Sequence, residues 1–322
     1  MKAKDLVLVG DIGGTHARFA LVERGSAALM HARTLKCHDY PGPQAAIRDY
    51  LAGVRAPMVS EACFAVAAPV VGNTVAMTNN HWMFDIEDLR NAFGWRWFRL
   101  VNDYTAMALG VLHVPQDKLV SVGGPAERQH GPLLIMGPGT GLGVSALVPS
   151  RQGWVPLSTE GGHVDFAPTD EVEDQILNQL RPEFGRVSAE RLLCGEGLMN
   201  LYRVLAIIKD LPATLATPEQ VTDAALTDSN ELAQETLQRF CRILGRVAGN
   251  AALTLGSFGG VYLCGGILPA ILPFFLSSAF RDEFENKGRM RSLLASTPVW
   301  VVQDPLTGLY GAAAALSQGE AR

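Results

Sequence analysis

At 322 residues, 48% hydrophobic and 18% charged, the chain has a globular composition and is long enough for two cores, because a single core rarely grows past about 250–300 residues. A formal net charge of −5 without any long basic run argues against a nucleic-acid footprint and points to a small-molecule ligand. Cys37, Cys63, Cys194, Cys241 and Cys264 are widely spaced with no CxC or CxxC pair, which argues against a disulfide framework or a zinc site. The opening MKAKDLVLVGD has too short an apolar run for a signal peptide, and ILPAILPFFL is broken by Pro269 and Pro273. A cytoplasmic protein without membrane contact is expected.

The first elements read as strand, glycine turn, strand over Leu6–Val22, LVLVGDIGGTHARFALV. Gly13 and Gly14 leave no side chains over the turn, so backbone N–H groups can converge on a phosphate, although Gly-Gly alone fits a plain hairpin equally well. Asp11 and Thr15 bracket the turn, and a carboxylate beside a phosphate implies an intervening cation, Mg²⁺. A third strand is expected near Ala28–Lys36 and a helix over Pro43–Val54, with proline in its first turn. The apolar runs Glu61–Ala68 and Val70–Met77 add strands to the sheet. Asp85 is placed to cap a helix that ends at Gly94. Trp95–Val101 reads as a strand delivering Asn102 and Asp103 to the start of a helix over Tyr104–Leu112, and such strand ends are where open α/β sheets bind ligands.

The pattern restarts at Leu133–Met136, followed by Gly137, Gly139, Thr140 and Gly141 and a further apolar run. Ala20-Leu21-Val22 recurs as Ala146-Leu147-Val148, and Gly13 falls on Gly139 at the same offset of 126. A repeat of that length implies two domains of similar topology, with two phosphate loops across a cleft. Trp154–Ser158 reads as a strand, TEGGHVDF as a glycine-rich loop, and Asp170–Leu180 as a helix. A capped helix carrying Glu190 follows near Ser188. The longest helix signal is Ser229–Leu255, and Gly260–Cys264 is a strand leading into Gly265 and Gly266. Helices over Ile271–Phe280 and Thr307–Leu316 complete the chain.

GxxxxGK[ST], GxGxxG, GxSxG and HExxH are all absent, which argues against P-loop, Rossmann, serine-hydrolase and zinc-protease readings. A two-loop phosphate cradle remains, together with polar clusters at strand ends: Asn102-Asp103, Glu160 with His163, and Glu190. Phosphoryl transfer needs a held γ-phosphate, charge neutralisation and a carboxylate to deprotonate the attacking hydroxyl, and these side chains can bond the vicinal hydroxyls of a sugar. Plainer roles stay open. Asp103 could cap the next helix, Glu190 could complement a helix dipole, His163 could join Asp165 at a metal, and Gly161-Gly162 could be only a turn. Thr78–Trp82 fits a substrate loop or an ordinary connection.

GDIGGTHARFAL, AMTNNHWMF, LVNDYTAMALG, GPGTGLGVSAL, STEGGHVDFAP, VSAERLLCGEGL and GGVYLCGGILP, in this order, resemble the bacterial glucokinase family of the actin-like (ribonuclease H-like) ATPase fold. The resemblance implies an α/β protein of two actin-like domains, each with a mixed five-stranded sheet flanked by helices, and a cleft between them that closes on glucose. It places the small domain at 1–112 plus 305–322 and the large domain at 113–304. It implies transfer from ATP to the 6-hydroxyl of glucose, with Asp103 as general base and Asn79, Asn102, Asp103, Glu160, His163 and Glu190 on the sugar. Gly10, Asp11, Gly13, Gly14 and Thr15 would form the first phosphate site and Gly137, Gly139, Thr140 and Gly141 the second. Gly265 and Gly266 would meet the adenosine, Asp11 would hold Mg²⁺ through water, and the chain would form a homodimer. Two departures are His16, where the family commonly has Asn, and Cys194-Gly195-Glu196-Gly197, where it commonly has Ser-Gly-Pro-Gly. A kinase for mannose, fructose or N-acetylglucosamine is the alternative within enzymes. A non-catalytic sugar sensor is the alternative outside them, and the presence of both Asp103 and Asp11 argues against it.

Overall fold

The computed structural model describes residues 6–317 except 57, 69–71 and 78–79. The chain divides into two units, Met1–Lys118 with Asp304–Arg322, and Leu119–Gln303. The breaks thus lie at 118/119 and 303/304, where 112/113 and 304/305 were expected.

The first unit holds Leu6–Ile12 (β1), His16–Glu23 (β2), Met30–Lys36 (β3), Glu61–Val66 (β4), Thr74–Ala76 (β5), Met83–Asp85 (β6) and Trp97–Asn102 (β7). Five of them form one mixed sheet in the order β3-β2-β1-β4-β7, antiparallel on the β2 side and parallel on the β4 side of β1. β4 is buried along its whole length, which is why it reads as an unbroken apolar run without alternation. β5 pairs only with β6 in a separate two-stranded ribbon, so the run expected to extend the sheet does not join it, and Val70 lies outside the described residues. The core on the helix Pro43–Gly53 side is aromatic: Phe64 meets Trp95 edge-on at 5.6 Å and Phe19 at 5.8 Å. Asp85 caps helix Ile86–Phe93 by accepting from Glu87 N and Asp88 N at 2.8 and 3.0 Å, and Gly94 closes it with φ 65°.

Helix Asp103–Gly110 packs against helix Thr307–Ser317 through glycines. A Cβ at Gly311 would overlap the Ala106 carbonyl, and one at Gly110 would overlap that of Thr307. Gly311→Leu is therefore expected to cost about 1–3 kcal/mol by overpacking, read from urea unfolding, and unchanged stability would contradict the close crossing.

The second unit holds Leu119–Gly123 (β8), Leu133–Pro138 (β9), Leu142–Ser150 (β10), Gly153–Ser158 (β11), Gly260–Leu263 (β12) and Val299–Val302 (β13). Its order is β11-β10-β9-β12-β13-β8. The first five strands repeat the directions of the first unit's sheet. The expected five strands are therefore six here, because β8 adds antiparallel to β13 and covers what would be an open edge.

Helices Glu171–Phe184, Gly195–Ile208, Pro218–Leu226 and Glu231–Leu255 bury their apolar faces in this unit's core. Asn230 accepts from Ala233 N at 2.9 Å to start the long helix, and Gly256 ends it. The single helix expected over Ile271–Phe280 is broken into Leu272–Ser277 and Phe280–Glu285, with Ser278 Oγ donating to Phe275 O and accepting from Phe280 N. The capped helix expected near Ser188 is one 3₁₀ turn, Ala189–Arg191.

Helix Glu231–Leu255 also carries a buried ion network. Glu173, 0% exposed, accepts from Thr169 N at 3.0 Å, pairs with Arg246 and lies 3.6 Å from Arg239. Arg239 holds Asp170 in a two-pronged contact at 3.0 and 2.8 Å, and Arg242 Nε donates to Glu283 at 2.9 Å. Burial alone would raise the Asp170 and Glu283 carboxyls, but the arginines outweigh it and hold both below their ordinary 3.8 and 4.5. Depressed folded values mean that their contribution to stability is complete above the unfolded values and is lost as the pH falls through the folded ones. Thermal melts from about pH 5 down to pH 3 should show falling stability, with the slope reduced in Asp170→Asn; a flat profile would contradict the network.

Candidate functional site

In the first unit the antiparallel hairpin β1–β2 turns through Gly13, Gly14 and Thr15, closed by Gly13 N donating to His16 O at 2.9 Å. Cys37 N donates to Thr15 O, also at 2.9 Å, and Asn80 Nδ2 donates to Gly13 O at 3.3 Å. The turn is thus braced through its own carbonyls, by Cys37 N on one side and the Asn80 side chain on the other. Asn80 in turn accepts from Trp82 N, and the buried Trp82 ring donates its Nε1 to Tyr40 O. Within Thr78–Trp82, Asn80 and Trp82 therefore brace the Gly13–Thr15 turn, a role no local signal showed. Asn79 and Thr78 lie outside the described residues.

Gly10 sits inside β1, not in the turn, and a Cβ there would come 2.6 Å from the Phe64 ring. Asp11 lies on β1 opposite Arg18, whose Nη1 stands 3.4 Å from its carboxylate. Gly308 packs against the carboxylate, where a Cβ would fall 2.6 Å from Asp11 Cγ. Burial pushes the Asp11 carboxyl up against the pull of Arg18. The carboxylate is still 14% exposed, which leaves room for a hydrated cation beside it. Among the described residues no three His, Cys, Asp or Glu side chains form a metal cage, so a cation here would be held by one carboxylate, water and phosphate, as suits Mg²⁺.

Asn102 ends β7 and Asp103 begins the following helix. The helix cap is Asn102, whose Oδ1 accepts from Thr105 N at 3.1 Å, and not Asp103. Asp103 Oδ1 accepts from Tyr104 N at 2.9 Å and from Asn102 Nδ2 at 3.0 Å. These bonds fix the carboxylate at the mouth of the helix.

In the second unit β9–β10 turns through Gly139, Thr140 and Gly141, with Gly139 N donating to Gly141 O at 2.8 Å. Gly137 lies in β9, where a Cβ would overlap the Cys264 carbonyl. Gly265, with φ 90°, packs on Pro138, so Gly265-Gly266 adjoins this turn. Cys194-Gly195-Glu196-Gly197 adjoins it too. Gly195 N donates to Gly139 O at 3.0 Å, while Cys194 Sγ caps helix Gly195–Ile208 by accepting from Gly197 N at 3.3 Å. The departure from the commoner sequence thus retains an ordinary capped helix start.

Glu190, Glu160 and His163 come together beside the same turn. Glu190 Oε2 accepts from Leu142 N at 2.8 Å, and Gly141 leaves the space for that carboxylate, since a Cβ there would stand 2.5 Å from Oε2. Glu190 Oε1 is 3.8 Å from His163 Nδ1, and Glu160 Oε2 is 4.0 Å from His163 Nε2. Glu190 therefore serves the turn and not a helix dipole. Arg186, which the sequence did not single out, pins the loop by donating to His163 O at 2.6 Å and pairing with Asp165 at 2.8 Å. Asp165 is thereby tied to an arginine. The cluster offers two carboxylates and an imidazole at the surface, 85%, 29% and 52% exposed for Glu160, Glu190 and His163, which suits the bonding of adjacent hydroxyls.

No helix of the described residues is long and apolar enough to cross a membrane.

Comparison with known proteins agrees with this chemistry. The family model described as Glucokinase matches residues 8–319. The glucokinase of Marinobacter nauticus is 58% identical over 321 residues, 99% of this chain and 100% of that protein. The crystal structure of a glucokinase from an Antarctic psychrotroph superposes with a TM-score of 0.87 at 34% identity, covering 98% of this chain and 100% of the other. That of a ROK family glucokinase from Streptomyces griseus, with glucose and AMPPNP, superposes with a TM-score of 0.64, covering 98% and 100%, and at 17% identity speaks for the fold alone. A match over nearly the whole length means that the chain belongs to the glucokinase family.

Proposed function

We propose that the chain transfers the γ-phosphoryl group of ATP to the 6-hydroxyl of glucose, giving glucose 6-phosphate and ADP. The observation that carries this reading is Glu190, whose carboxylate accepts from Leu142 N beside the second glycine turn and faces His163 Nδ1 at 3.8 Å, so sugar-binding chemistry adjoins a phosphate turn.

In this reading Asn102 and Asp103 of the first unit and Glu160, His163 and Glu190 of the second bond the sugar hydroxyls, from either side of a cleft between two actin-like domains. Asp103 accepts the proton of the 6-hydroxyl as that oxygen bonds to the γ-phosphorus, and the bond from phosphorus to the β–γ bridging oxygen breaks with its electrons on ADP. Gly13, Gly14 and Thr15 hold phosphate oxygens from one unit and Gly139, Thr140 and Gly141 from the other, while Gly265-Gly266 borders the adenosine. Mg²⁺, bound through water at Asp11, would neutralise phosphate charge. Cleft closure on glucose would keep water from the γ-phosphate and limit hydrolysis of ATP. A cytoplasmic homodimer belongs to the same proposal.

The test is ADP release with glucose, mannose, fructose and N-acetylglucosamine in parallel. Glucose should give the highest kcat/KM. A higher value with another hexose moves the assignment to that sugar, and glucose binding without ADP release moves it to a sensor.

A further inference from the structure

Between the segment 159–169 and helix Glu231–Leu255 of the second unit lies a cavity of about 420 Å³, within the range of small-molecule sites. Val144, Val164 and Phe166 form one wall and Ile243, Val247 and Ala251 the other. The polar end is Arg246, Asn250 and Lys287. Arg246 is 6% exposed, and its Nη1 forms an ion pair with Glu283 Oε2 at 3.0 Å but has no aligned hydrogen-bond acceptor among the described residues. Among the described residues Lys287 Nζ donates only a backbone bond, to Arg246 O at 3.1 Å.

The charges do not cancel. Arg239, Arg242, Arg246 and Lys287 face Asp170, Glu173 and Glu283, while Asp165, an acid that lines the cavity itself, is matched by Arg186. One positive charge is left over at the end of a chamber whose facing walls are apolar and whose rim also carries Thr159, Thr169, Thr254 and Asn286. Burying that surplus charge costs free energy, which an anionic oxygen at the polar end would offset. Burial and the neighbouring Arg246 also push the Lys287 ammonium below its ordinary value, a penalty that a carboxylate would offset.

We propose that this cavity is a binding site for a small amphipathic carboxylate, its head on Arg246 and Lys287 and its apolar body between Phe166 and Val247. The wall that it would touch belongs to the segment bearing Glu160 and His163, so its occupancy braces the sugar loop from behind. Binding itself is independent of the function proposed above; the coupling to glucose rests on it.

Calorimetry on the full chain without sugar tests the site, using hexanoate and octanoate against acetate and 1-hexanol. Hexanoate should saturate one site, with acetate and 1-hexanol at least about tenfold weaker. Lys287→Met should weaken hexanoate by about tenfold or more and leave 1-hexanol unchanged, and Ala251→Phe should abolish both by filling the chamber. Lys287→Met keeps the test decisive should Ala251→Phe fail to fold. Saturating glucose should change the hexanoate Kd by about fivefold or more. Absence of saturable binding by either acid overturns the site, as does equal binding of hexanoate and 1-hexanol. A dimer in sedimentation that Ala251→Phe dissociates, without any acid binding, assigns the face to a second copy and also overturns it. Hexanoate binding indifferent to glucose, in a preparation that phosphorylates glucose, overturns the coupling and leaves the transferase reading standing.

Discussion

Asp103→Asn is expected to lower turnover with glucose by about 10² or more, the usual scale of a general base, while glucose affinity stays within a few fold. The substitution is nearly isosteric. Its remaining amide oxygen can still accept from Tyr104 N and Asn102 Nδ2, the two bonds that hold the side chain at the helix mouth. What it loses is the capacity to take the 6-hydroxyl proton as the oxygen attacks phosphorus. Steady-state ADP release and glucose binding, measured on the same preparation, separate the two effects. Near-normal turnover would sink the assignment, and a parallel loss of glucose binding would make Asp103 a binding group and not a base.

Glu173→Ala is expected to destabilise the protein by about 3–5 kcal/mol, the cost of leaving buried charges without their partner. Glu173 has no exposed side-chain surface and faces both Arg246 and Arg239, with Thr169 N and Oγ1 donating to its second oxygen. Removing it leaves Arg239 with Asp170 and Arg246 with Glu283 as their remaining carboxylates, so part of the buried positive charge between helices Glu171–Phe184 and Glu231–Leu255 goes uncompensated. Glu173→Gln, which keeps the Thr169 acceptor, should be milder. Urea unfolding of both variants checks the order, and a cost below about 1 kcal/mol for the alanine variant would show that the arginines find other partners. Arg246 also lines the carboxylate cavity, so Glu173→Ala should not be used to test that site.

Sequence patterns revealed the elements whose causes are local. The strands of both hairpins, the helix capped by Asp85 and ended by Gly94, and the long helix capped by Asn230 each follow from near neighbours in the chain. The repeat at an offset of 126 also anticipated that both units would carry the same hairpin, while the two parallel strands beside each hairpin are seen only in the structure. Errors came where a distant partner decides. β5 had an apolar composition suited to the sheet, but it pairs with β6 instead. β8 carried no signal that it would reach β13 across the intervening chain. The break at Ser278 depends on which carbonyl its hydroxyl finds, Phe275 O, and that choice has no periodicity.

The site divides in the same way. The residue types and their order along the chain were enough to single out Asp11, Asn102, Asp103, Glu160, His163, Glu190 and the two glycine turns, because hydroxyl recognition and phosphate binding each demand a restricted set of groups. Only the tertiary structure decided what each group is tied to. It made Asn102 the helix cap, set Glu190 on Leu142 N, braced the first turn with Asn80 and pinned the loop at His163 with Arg186. Hydrogen bonds between residues far apart in sequence are fixed by packing of the sheets and helices around them, and neither local composition nor spacing records that packing.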